Sequence, residues 1–319
     1  MICEVCSNSE NNKVFHIKEM MYGIRDEFTY LECSECGCLQ IAAIPRNMER
    51  YYPSNYHSFQ EKLSNNFIKR YLRIRRNKYA LFKKGLIGKV IYKKYPNQVF
   101  DMISKIEINH NSRVLDVGCG AGILLYFLKE ICFENLVGVD PFIDKETING
   151  DMKLLKKTIH ELPDDQKFNL IIFNHSFEHI PDQLETLAKV SEILSEDGIC
   201  FIRIPIKTEY IWSHYGVNWV QIDAPRHFFL HTLKSFEILV KKSGLVIKDM
   251  IFDSTDFQFW GSEQHSGGIP LMAKNSYGVN PKRSIFTSKQ IKEFKSMSKE
   301  LNTNKQGDQA GFFLRGVKK

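Results

Sequence analysis

Three glycines in this sequence are spaced in a way that suits binding of a cofactor. The run from Val114 to Gly122 reads Val-Leu-Asp-Val-Gly-Cys-Gly-Ala-Gly, so an apolar segment leads directly into the glycines. Glycines in such a turn let the backbone approach a ligand closely at the start of a helix. The pattern is GxGxG rather than the dinucleotide fingerprint GxGxxG, because position 123 is Ile, and no P-loop Lys-Ser/Thr follows.

Two carboxylates near these glycines indicate which cofactor the turn binds. Asp140 lies 20 residues after Gly120, at the end of the next apolar segment. A carboxylate there can accept hydrogen bonds from both hydroxyls of a ribose. Asp116, at the end of the first apolar segment, can hold a cation. A ribose and a cationic amino-acid end, without a pyrophosphate, describe S-adenosylmethionine better than NAD.

Five of the eight cysteines lie within the first 38 residues. Cys3 and Cys6 form one CxxC pair, and Cys33 and Cys36 form another. Each pair can bring two thiolates to one metal ion, and two pairs complete the tetrahedron that zinc prefers. No βαβ pattern surrounds either pair, which argues against a redox site of the thioredoxin type. The sequence therefore predicts structural zinc in a ribbon-like module, with Cys38 and His16 as spare ligands.

The composition predicts a globular protein with a large core. The chain has 319 residues, of which 43% are apolar and 25% are charged, unlike disordered or disulfide-framework proteins. No apolar run approaches the roughly 18 residues that a membrane span needs. The first residues lack the basic and apolar parts of a secretory signal. These features predict a soluble protein of the cytoplasm.

The net charge of +7 is confined to the first third of the chain. Residues 1–110 contain 18 Lys and Arg against 11 Asp and Glu, whereas residues 111–319 contain 26 of each kind. Residues 62–94 contain twelve basic residues, no acidic ones, and apolar residues at helical spacing. A solvated helix face is the simpler interpretation. The functional interpretation is contact with an anionic glycan or membrane surface.

The residues that bind the cofactor must be positioned by the elements around them. From residue 111 onward, short apolar strands alternate with amphipathic helices, which predicts a Rossmann-like, doubly wound α/β sheet. The sequence divides into four predicted parts. These are a zinc-binding module (1–50), a Tyr-rich and basic helical connector (51–110), the α/β core (111–252) and a C-terminal extension that forms a substrate lid and ends in the last core strand (253–319).

The motifs together resemble those of class I S-adenosylmethionine-dependent methyltransferases. The similarity rests on Leu115–Gly122, on Asp140 and on the run from Phe168 to Asp182. It implies that Asp116 lies near the amino group of the cofactor and Asp140 at its ribose. The other residues that it implies around the cofactor are Gly118, Cys119, Gly120 and Gly122 in the glycine turn, Asn174, His175 and Ser176 beside the methionine part, and Pro141, Phe142, Thr158 and Ile159 around adenine.

The wider layout resembles a narrower group, the bacterial sugar methyltransferases that carry an N-terminal zinc module. This resemblance implies that His227, in the segment from Asp223 to Thr232, is the catalytic base. C-methyltransferases of this group carry Glu immediately before that His, whereas this chain has Arg226. The difference favours O-methylation over C-methylation of a nucleotide-linked or glycan-bound sugar.

A base is needed because a hydroxyl must lose its proton when it accepts a methyl group, and His suits that task near neutral pH. His57, His179, His227 and His231 compete for this role. His227 is the first candidate and His179 the second. Tyr56, with Tyr51 and His57, is expected to cover the site from the N-terminal side, or else to belong to a packed connector.

Two other functions compete with this prediction. One is RNA methylation, since a zinc ribbon beside basic helices is also a nucleic-acid-binding design. However, Asn174-His-Ser-Phe stands where base methylation usually uses an Asn/Asp-Pro-Pro-aromatic loop. The basic helices also lack the stacking aromatics of a single-strand binder, so a nucleic-acid partner is not expected. The third function is a non-catalytic, anion-binding protein with a methyltransferase fold, against which the intact Asp116 and Asp140 argue.

Overall fold

The computed structural model describes residues 1–53 and 66–317, so Tyr56 and His57 lie outside the described residues. The described chain forms an eight-stranded sheet and a smaller four-stranded sheet. The strands are β1 (Lys13–Lys18), β2 (Glu27–Glu32), β3 (Leu39–Ile41), β4 (Arg113–Val117), β5 (Asn135–Val139), β6 (Thr147–Asn149), β7 (Met152–Leu155), β8 (Phe168–Asn174), β9 (Leu194–Pro205), β10 (Phe229–Leu230), β11 (Leu245–Phe252) and β12 (Gln309–Gly316). The helices are α1 (Phe67–Phe82), α2 (Leu86–Lys94), α3 (Gln98–Ile103), α4 (Ile123–Glu130), α5 (Gln183–Ile193), α6 (Glu209–Tyr215), α7 (Leu233–Lys242), α8 (Phe257–Ser266) and α9 (Ser288–Thr303).

The large sheet has the order β11-β12-β9-β8-β4-β5-β7-β6. Its central strands β9, β8, β4, β5 and β7 are parallel, as the continuous apolar runs predict for strands buried on both faces. Two additions make it a mixed sheet: β12 runs antiparallel between β9 and β11, and β6 forms a hairpin with β7. Because the central strands are parallel, their carboxyl ends meet at one edge, where such sheets bind ligands.

The small sheet joins the N-terminal residues to the core. It has the order β1-β2-β3-β10, and all its pairs are antiparallel. Strand β10 comes from the segment after His227, and its Phe229 pairs with Gln40 of β3. Residues 1–50 are therefore not a separate body. Cys3 and Tyr30 share one hydrophobic core with Phe236 of α7.

Part of the predicted C-terminal lid is a buried helix instead of a polar loop. In α8, Phe259 is almost fully buried, and Gly261 lies so close to Val220 that a Cβ there would be 2.7 Å from its Cγ2. Gly261 is needed there because the helix packs closely on the 220–222 turn. Strand β12, the last strand that the sequence predicted, lies inside the sheet between β9 and β11.

Helices α1 and α2 form the basic segment that precedes the core. Ala80 and Leu81 of α1 pack into the core, and Arg73 pairs with Glu130 of α4 at 2.7 Å. The outer side of the two helices exposes large apolar side chains, including Phe67 (79%) and Leu86 (83%). Within the part of the chain that the structure describes, no helix combines the length and the apolar character needed to cross a bilayer.

Candidate active site

The turn between β4 and α4 has backbone angles that favour glycine. The φ angles of Gly118, Gly120 and Gly122 are 73°, 49° and 73°. A Cβ atom at Gly118 would overlap the side chain of Ser176, and one at Gly122 would lie 2.6 Å from Cδ1 of Leu154. The turn therefore requires glycine at these positions and presents its backbone to the edge of the sheet.

Asp140 follows β5 and reaches back to this turn. Its Oδ2 accepts a hydrogen bond from the Gly120 amide at 3.0 Å, and its Oδ1 accepts one from the Phe142 amide at 2.8 Å. The two amides fix the carboxylate in a nearly buried position. Each carboxylate oxygen keeps a further lone pair, so the group can still accept the two hydroxyls of a ribose.

Asp116 is the buried carboxyl of β4, at 4% exposure. Burial, and in addition the nearby charge of Asp140, raise the pKa of the Asp116 carboxyl to about 7. A bound cation would reverse this effect, because it favours the ionised form. The neighbouring Cys119 thiol is kept neutral, since burial raises its pKa well above the ordinary range. Cys119 can therefore contact a ligand through its backbone and not through an ionised thiol.

The turn after β8 is tied to the glycine turn. The Ser176 hydroxyl donates a hydrogen bond to the carbonyl of Val117 at 2.6 Å. Arg203 of β9 donates to Nε2 of His175 at 2.7 Å and to the Asn174 amide oxygen at 3.3 Å. These bonds bring the predicted residues Asn174, His175 and Ser176 to the side of Gly118.

The residues predicted around adenine follow two neighbouring strands. Pro141 and Phe142 come after β5, and Phe142 is 77% exposed. Thr158 and Ile159 come after β7, where the Thr158 hydroxyl donates to Glu161 at 3.0 Å and Ile159 is buried. Because β5 and β7 are parallel, both segments leave the same edge of the sheet.

A second group of side chains, His227, His179 and Glu178, lies just beyond Ser176. The rings of His179 and His227 meet edge to face, with centroids 4.7 Å apart. Nε2 of His227 lies 4.0 Å from Oε1 of Glu178 and also 4.0 Å from Oδ2 of Asp223. The two histidines, named separately as candidate bases from the sequence, are thus parts of one cluster.

Backbone carbonyls determine which nitrogen of each imidazole carries a proton. Nδ1 of His227 lies 2.6 Å from the carbonyl of Gln221, and Nδ1 of His179 lies 2.8 Å from the carbonyl of Arg226. A carbonyl oxygen can only accept, so each Nδ1 is protonated. Each neutral ring therefore has its lone pair on Nε2. For His227 this nitrogen faces the carboxylates of Glu178 and Asp223.

Glu178 is a functional candidate to which the sequence analysis gave no role. It is 1% exposed, and neither carboxylate oxygen accepts a hydrogen bond from the described residues. Burial alone would raise its pKa, but Nδ1 of His175 at 3.4 Å and the positive charges that His179 and His227 carry when protonated lower it to about 2. The signal was the Glu-His pair itself, since Glu178 directly precedes a candidate base.

The same three side chains could hold a divalent cation, since their ligand atoms lie within 4.8 Å of one another. Ligands about 2.1 Å from such an ion lie about 3.0 Å apart in an octahedron and about 3.4 Å apart in a tetrahedron. The 4.0 Å between His227 and Glu178 is wider than either, so metal binding would require these side chains to move closer together.

Comparison with known proteins shows the class of enzyme. Residues 91–249 match a family model described as a methyltransferase domain. Three curated relatives are named ubiquinone biosynthesis O-methyltransferase. They come from Rickettsia typhi (26% identity, 47% of this chain and 68% of the relative), Rickettsia bellii (25%, 53% and 77%) and Haemophilus ducreyi (25%, 51% and 78%). The chain is an S-adenosylmethionine-dependent methyltransferase of class I.

A solved structure that matches the methyltransferase is a cyclopropane synthase from Mycobacterium tuberculosis, with 15% identity and a TM-score of 0.45. The match covers 86% of this chain and 99% of that one. The names of the curated relatives contradict the sugar acceptor expected from the sequence, which is therefore wrong. The non-catalytic alternative is excluded as well, because the chain is an enzyme.

The buried position of Asp116 predicts that cofactor binding to the methyltransferase depends on pH. The resemblance to class I methyltransferases implies that Asp116 pairs with the cationic amino group of the cofactor, which only the ionised carboxylate can do. Because the pKa of Asp116 is about 7, affinity should fall as the pH drops below that value. We expect a loss of roughly tenfold per unit on the acidic side. Calorimetric titration between pH 5.5 and 8.5 measures this, and in Asp116→Asn the dependence should disappear. An unchanged dependence in this variant would assign it to another group.

The four cysteines of the methyltransferase's CxxC pairs lie together, one pair in the residues before β1 and the other in the loop between β2 and β3. Sγ of Cys3 is 3.6 Å from that of Cys36, and Sγ of Cys6 is 3.4 Å from that of Cys33. All four sulfurs lie within 4.8 Å of one another. The predicted spare ligands lie elsewhere. Cys38 approaches His231 at 3.9 Å, and His16 lies on β1 beside Glu27 at 3.7 Å.

The remaining candidates are placed as follows. His231 is buried, and its ring nitrogens bond Ser235 and Gln183, which makes it structural. The Tyr51 hydroxyl donates to Asp26 at 2.7 Å, away from the cluster. Its neighbour Tyr52 reaches Nδ1 of His179 at 3.3 Å and so covers the site instead. Tyr56 lies outside the described residues and stays a prediction.

Proposed function

We propose that this methyltransferase transfers the methyl group of S-adenosylmethionine to a hydroxyl oxygen of a small-molecule acceptor of the phenolic type. The names of the curated relatives support an acceptor whose hydroxyl belongs to a biosynthetic precursor of a quinone. The observation that carries the proposal is the cluster of Glu178, His179 and His227, which lies two residues beyond the turn that adjoins Gly118.

His227 is proposed as the base. Methyl transfer is an in-line displacement, in which the enzyme positions the acceptor oxygen against the methyl carbon. The acceptor's proton moves to Nε2 of His227, while the oxygen–carbon bond forms and the sulfur–carbon bond breaks. Glu178 and Asp223, each 4.0 Å from Nε2, stabilise the resulting imidazolium. A phenol, with a pKa of about 10 like that of Tyr, is within reach of a His base.

A cavity of about 410 Å³ borders Asp223 on the side of the small sheet. Its walls include Met20, Trp219 and Ala224, together with the charged residues Lys18 and Arg25. The volume suits a small ring compound, and the mixed walls suit an acceptor with an apolar body and polar substituents. We propose that the acceptor enters the cluster from this cavity.

Transfer of a labelled methyl group tests the proposed function. The purified enzyme is incubated with labelled S-adenosylmethionine and either 3,4-dihydroxybenzoate, an alkylated catechol or total RNA. We expect label in the two phenolic probes, and none in RNA. Transfer to RNA alone, or to neither phenol while the cofactor binds normally, would contradict the proposal.

We propose that the four clustered cysteines hold one structural zinc ion. A tetrahedron with Zn–S bonds of about 2.3 Å has sulfurs about 3.8 Å apart. The observed 3.4 Å and 3.6 Å come within a few tenths of an ångström of this separation, and all four sulfurs lie within 4.8 Å of one another, so the donor set fits a zinc ion. Bound zinc would tie Cys3 at the N-terminus to the loop between β2 and β3.

Elemental analysis is expected to find about one zinc per chain. The double substitution Cys3→Ser and Cys33→Ser should abolish it and lower the thermal midpoint, because metal binding contributes directly to folding. Cys132→Ser is the matched control, since Cys132 is exposed and lies outside the cluster. Zinc that persists in the double variant, or is absent from the wild-type protein, would rule out this site.

The basic helices remain a proposed contact for an anionic membrane surface. Exposed Lys84, Lys89 and Lys93 accompany exposed Leu86 and Val90 on and beside α2, a combination that suits adsorption to a bilayer interface. An enzyme bound to such a surface could reach an apolar phenolic acceptor in the membrane. The cytoplasmic location expected from the sequence likewise stays a prediction.

A further inference from the structure

Arg226 is a charged side chain that is completely buried, at 0% exposure. Its Nη2 pairs with Oε1 of Glu19 at 2.9 Å and with Oδ1 of Asp223 at 2.6 Å. Its Nε donates to Oδ2 of Asp223 at 2.9 Å, and its Nη1 donates to the carbonyl of Tyr51 at 2.9 Å. The guanidinium therefore binds two carboxylates and a carbonyl that come from three separate segments.

Glu19 organises the loop between β1 and β2. Its Oε1 accepts hydrogen bonds from the amides of Met21 and Tyr22, and its Oε2 accepts one from the amide of Ile24. Like Arg226, Glu19 is fully buried. The ring of Tyr22 in this loop lies 5.6 Å from the Arg226 guanidinium. The loop is thus folded around the carboxylate that receives Arg226.

The segment from Asp223 to His227 carries the residues that surround the proposed base. Asp223 has a positive φ of 39°, and its carbonyl accepts from the Arg226 amide at 2.8 Å. The Arg226 side chain orients the Asp223 carboxylate, which lies 4.0 Å from Nε2 of His227. The Arg226 carbonyl accepts the proton on Nδ1 of His179. A shift of Arg226 would therefore move both histidines and one carboxylate.

We propose that Glu19 and Arg226 form a positioning pair, through which the N-terminal module holds the catalytic segment in register with the cofactor. The proposal rests on the proposed function, because it concerns the same base. It also assigns a role to the Arg that stands where the resembling C-methyltransferases carry Glu. Arg226 does not act on the acceptor, and the carboxylates near His227 are Glu178 and Asp223.

A second buried pair between the same two parts of the chain provides a control. Lys207, which follows β9, pairs with Glu32 of β2 at 2.8 Å, and the two side chains are 6% and 15% exposed. This pair also joins the small sheet to the core, but it does not touch the segment 223–227. Loss of either pair should lower thermal stability. Only loss of the Glu19–Arg226 pair should disturb catalysis.

The test compares Glu19→Gln and Arg226→Lys with Glu32→Gln in the full-length enzyme. For Glu19→Gln we expect kcat for phenol methylation to fall roughly 10- to 100-fold, because a displacement of about 1 Å at a reacting group has an effect of this size. The Kd for S-adenosylmethionine should stay within about twofold, because the glycine turn is not involved. Arg226→Lys should retain part of kcat, because Lys can still pair with Glu19. Glu32→Gln should keep the wild-type kcat.

NMR of the histidine rings tests the positioning pair independently of any acceptor. The ring signals of His179 and His227 should shift in Glu19→Gln and stay in place in Glu32→Gln. If Glu19→Gln and Glu32→Gln lower the melting temperature alike and leave kcat and the ring signals unchanged, the pair is structural only and the proposal fails. If phenol methylation fails in the wild-type enzyme but the ring signals shift as expected, the proposed function fails and the pair stands.

Discussion

His227→Ala is expected to lower kcat for methyl transfer to a phenolic hydroxyl by about 10²- to 10⁴-fold, the usual contribution of a positioned general base. The structure supports this size of effect because Nε2 of His227 is directed by the bond from Nδ1 to Gln221 and faces Glu178 and Asp223. Without the imidazole, the acceptor proton has only water or the less well placed His179 as its destination.

The measurement for His227 is a single-turnover rate with saturating labelled cofactor, combined with a calorimetric titration. Cofactor affinity should stay near the wild-type value, because His227 does not belong to the glycine turn or to Asp140. His214→Ala is the matched control, since His214 is an exposed His stacked on Tyr210. A His227→Ala rate within a few-fold of the wild-type rate would show that another group takes the proton.

Asp140→Ala is expected to raise the Kd for S-adenosylmethionine by well over tenfold. The substitution removes the charge-assisted, two-point hydrogen bond that we expect Asp140 to make with the ribose. It also frees the amides of Gly120 and Phe142, which the carboxylate holds at 3.0 Å and 2.8 Å. Both effects weaken cofactor binding. The ribose loses its hydrogen-bond partner, and the glycine turn loses the carboxylate that holds it in place.

Asp144→Ala is the control for this substitution, because Asp144 is an exposed carboxylate in the same loop. Calorimetry should give the control the affinity of the wild-type protein. Asp140→Asn should fall between the two, since the amide keeps one acceptor oxygen and loses the charge. Wild-type affinity in Asp140→Ala would mean that the ribose is bound elsewhere and that the cofactor site is assigned incorrectly.

The arrangement of the residues assigned to the cofactor could be predicted from the sequence because these residues are local. Gly118, Gly120 and Gly122 occur within five positions, and the strands that precede them and Asp140 are visible as apolar runs. The requirement for glycine at these positions follows from positive φ angles. The predicted adenine residues Thr158 and Ile159 follow β7, which ends at Leu155, and they lie in a turn closed by Thr158 and Glu161.

The acceptor half could not be predicted in the same way, because it is assembled from distant segments. Glu178 becomes a candidate only when His227, 49 positions away, is seen to face it. Arg226 was noticed as a departure from a resembling group, but its partner Glu19 lies more than 200 positions away. Strand β10 has two residues, too few for a periodic pattern, yet it joins the small sheet to the core.

The acceptor class depends on comparisons beyond the motifs. The two CxxC pairs and His227 in the segment from Asp223 to Thr232 resemble features of sugar methyltransferases, whereas the curated relatives are named for ubiquinone biosynthesis. Residues that surround a cofactor are constrained by that cofactor. Cavity walls such as Met20 and Trp219 have no fixed spacing, because they come from the small sheet and from the 216–224 segment.

The central claim is that the methyl group goes to an oxygen at the Glu178–His179–His227 cluster. The most direct measurement is NMR of the product formed from S-adenosylmethionine labelled with ¹³C in its methyl group, with an alkylated catechol as acceptor. We predict that the label appears on the catechol oxygen with the wild-type enzyme and is nearly absent with His227→Ala. Label on carbon or nitrogen, or equal labelling with both proteins, would contradict the claim.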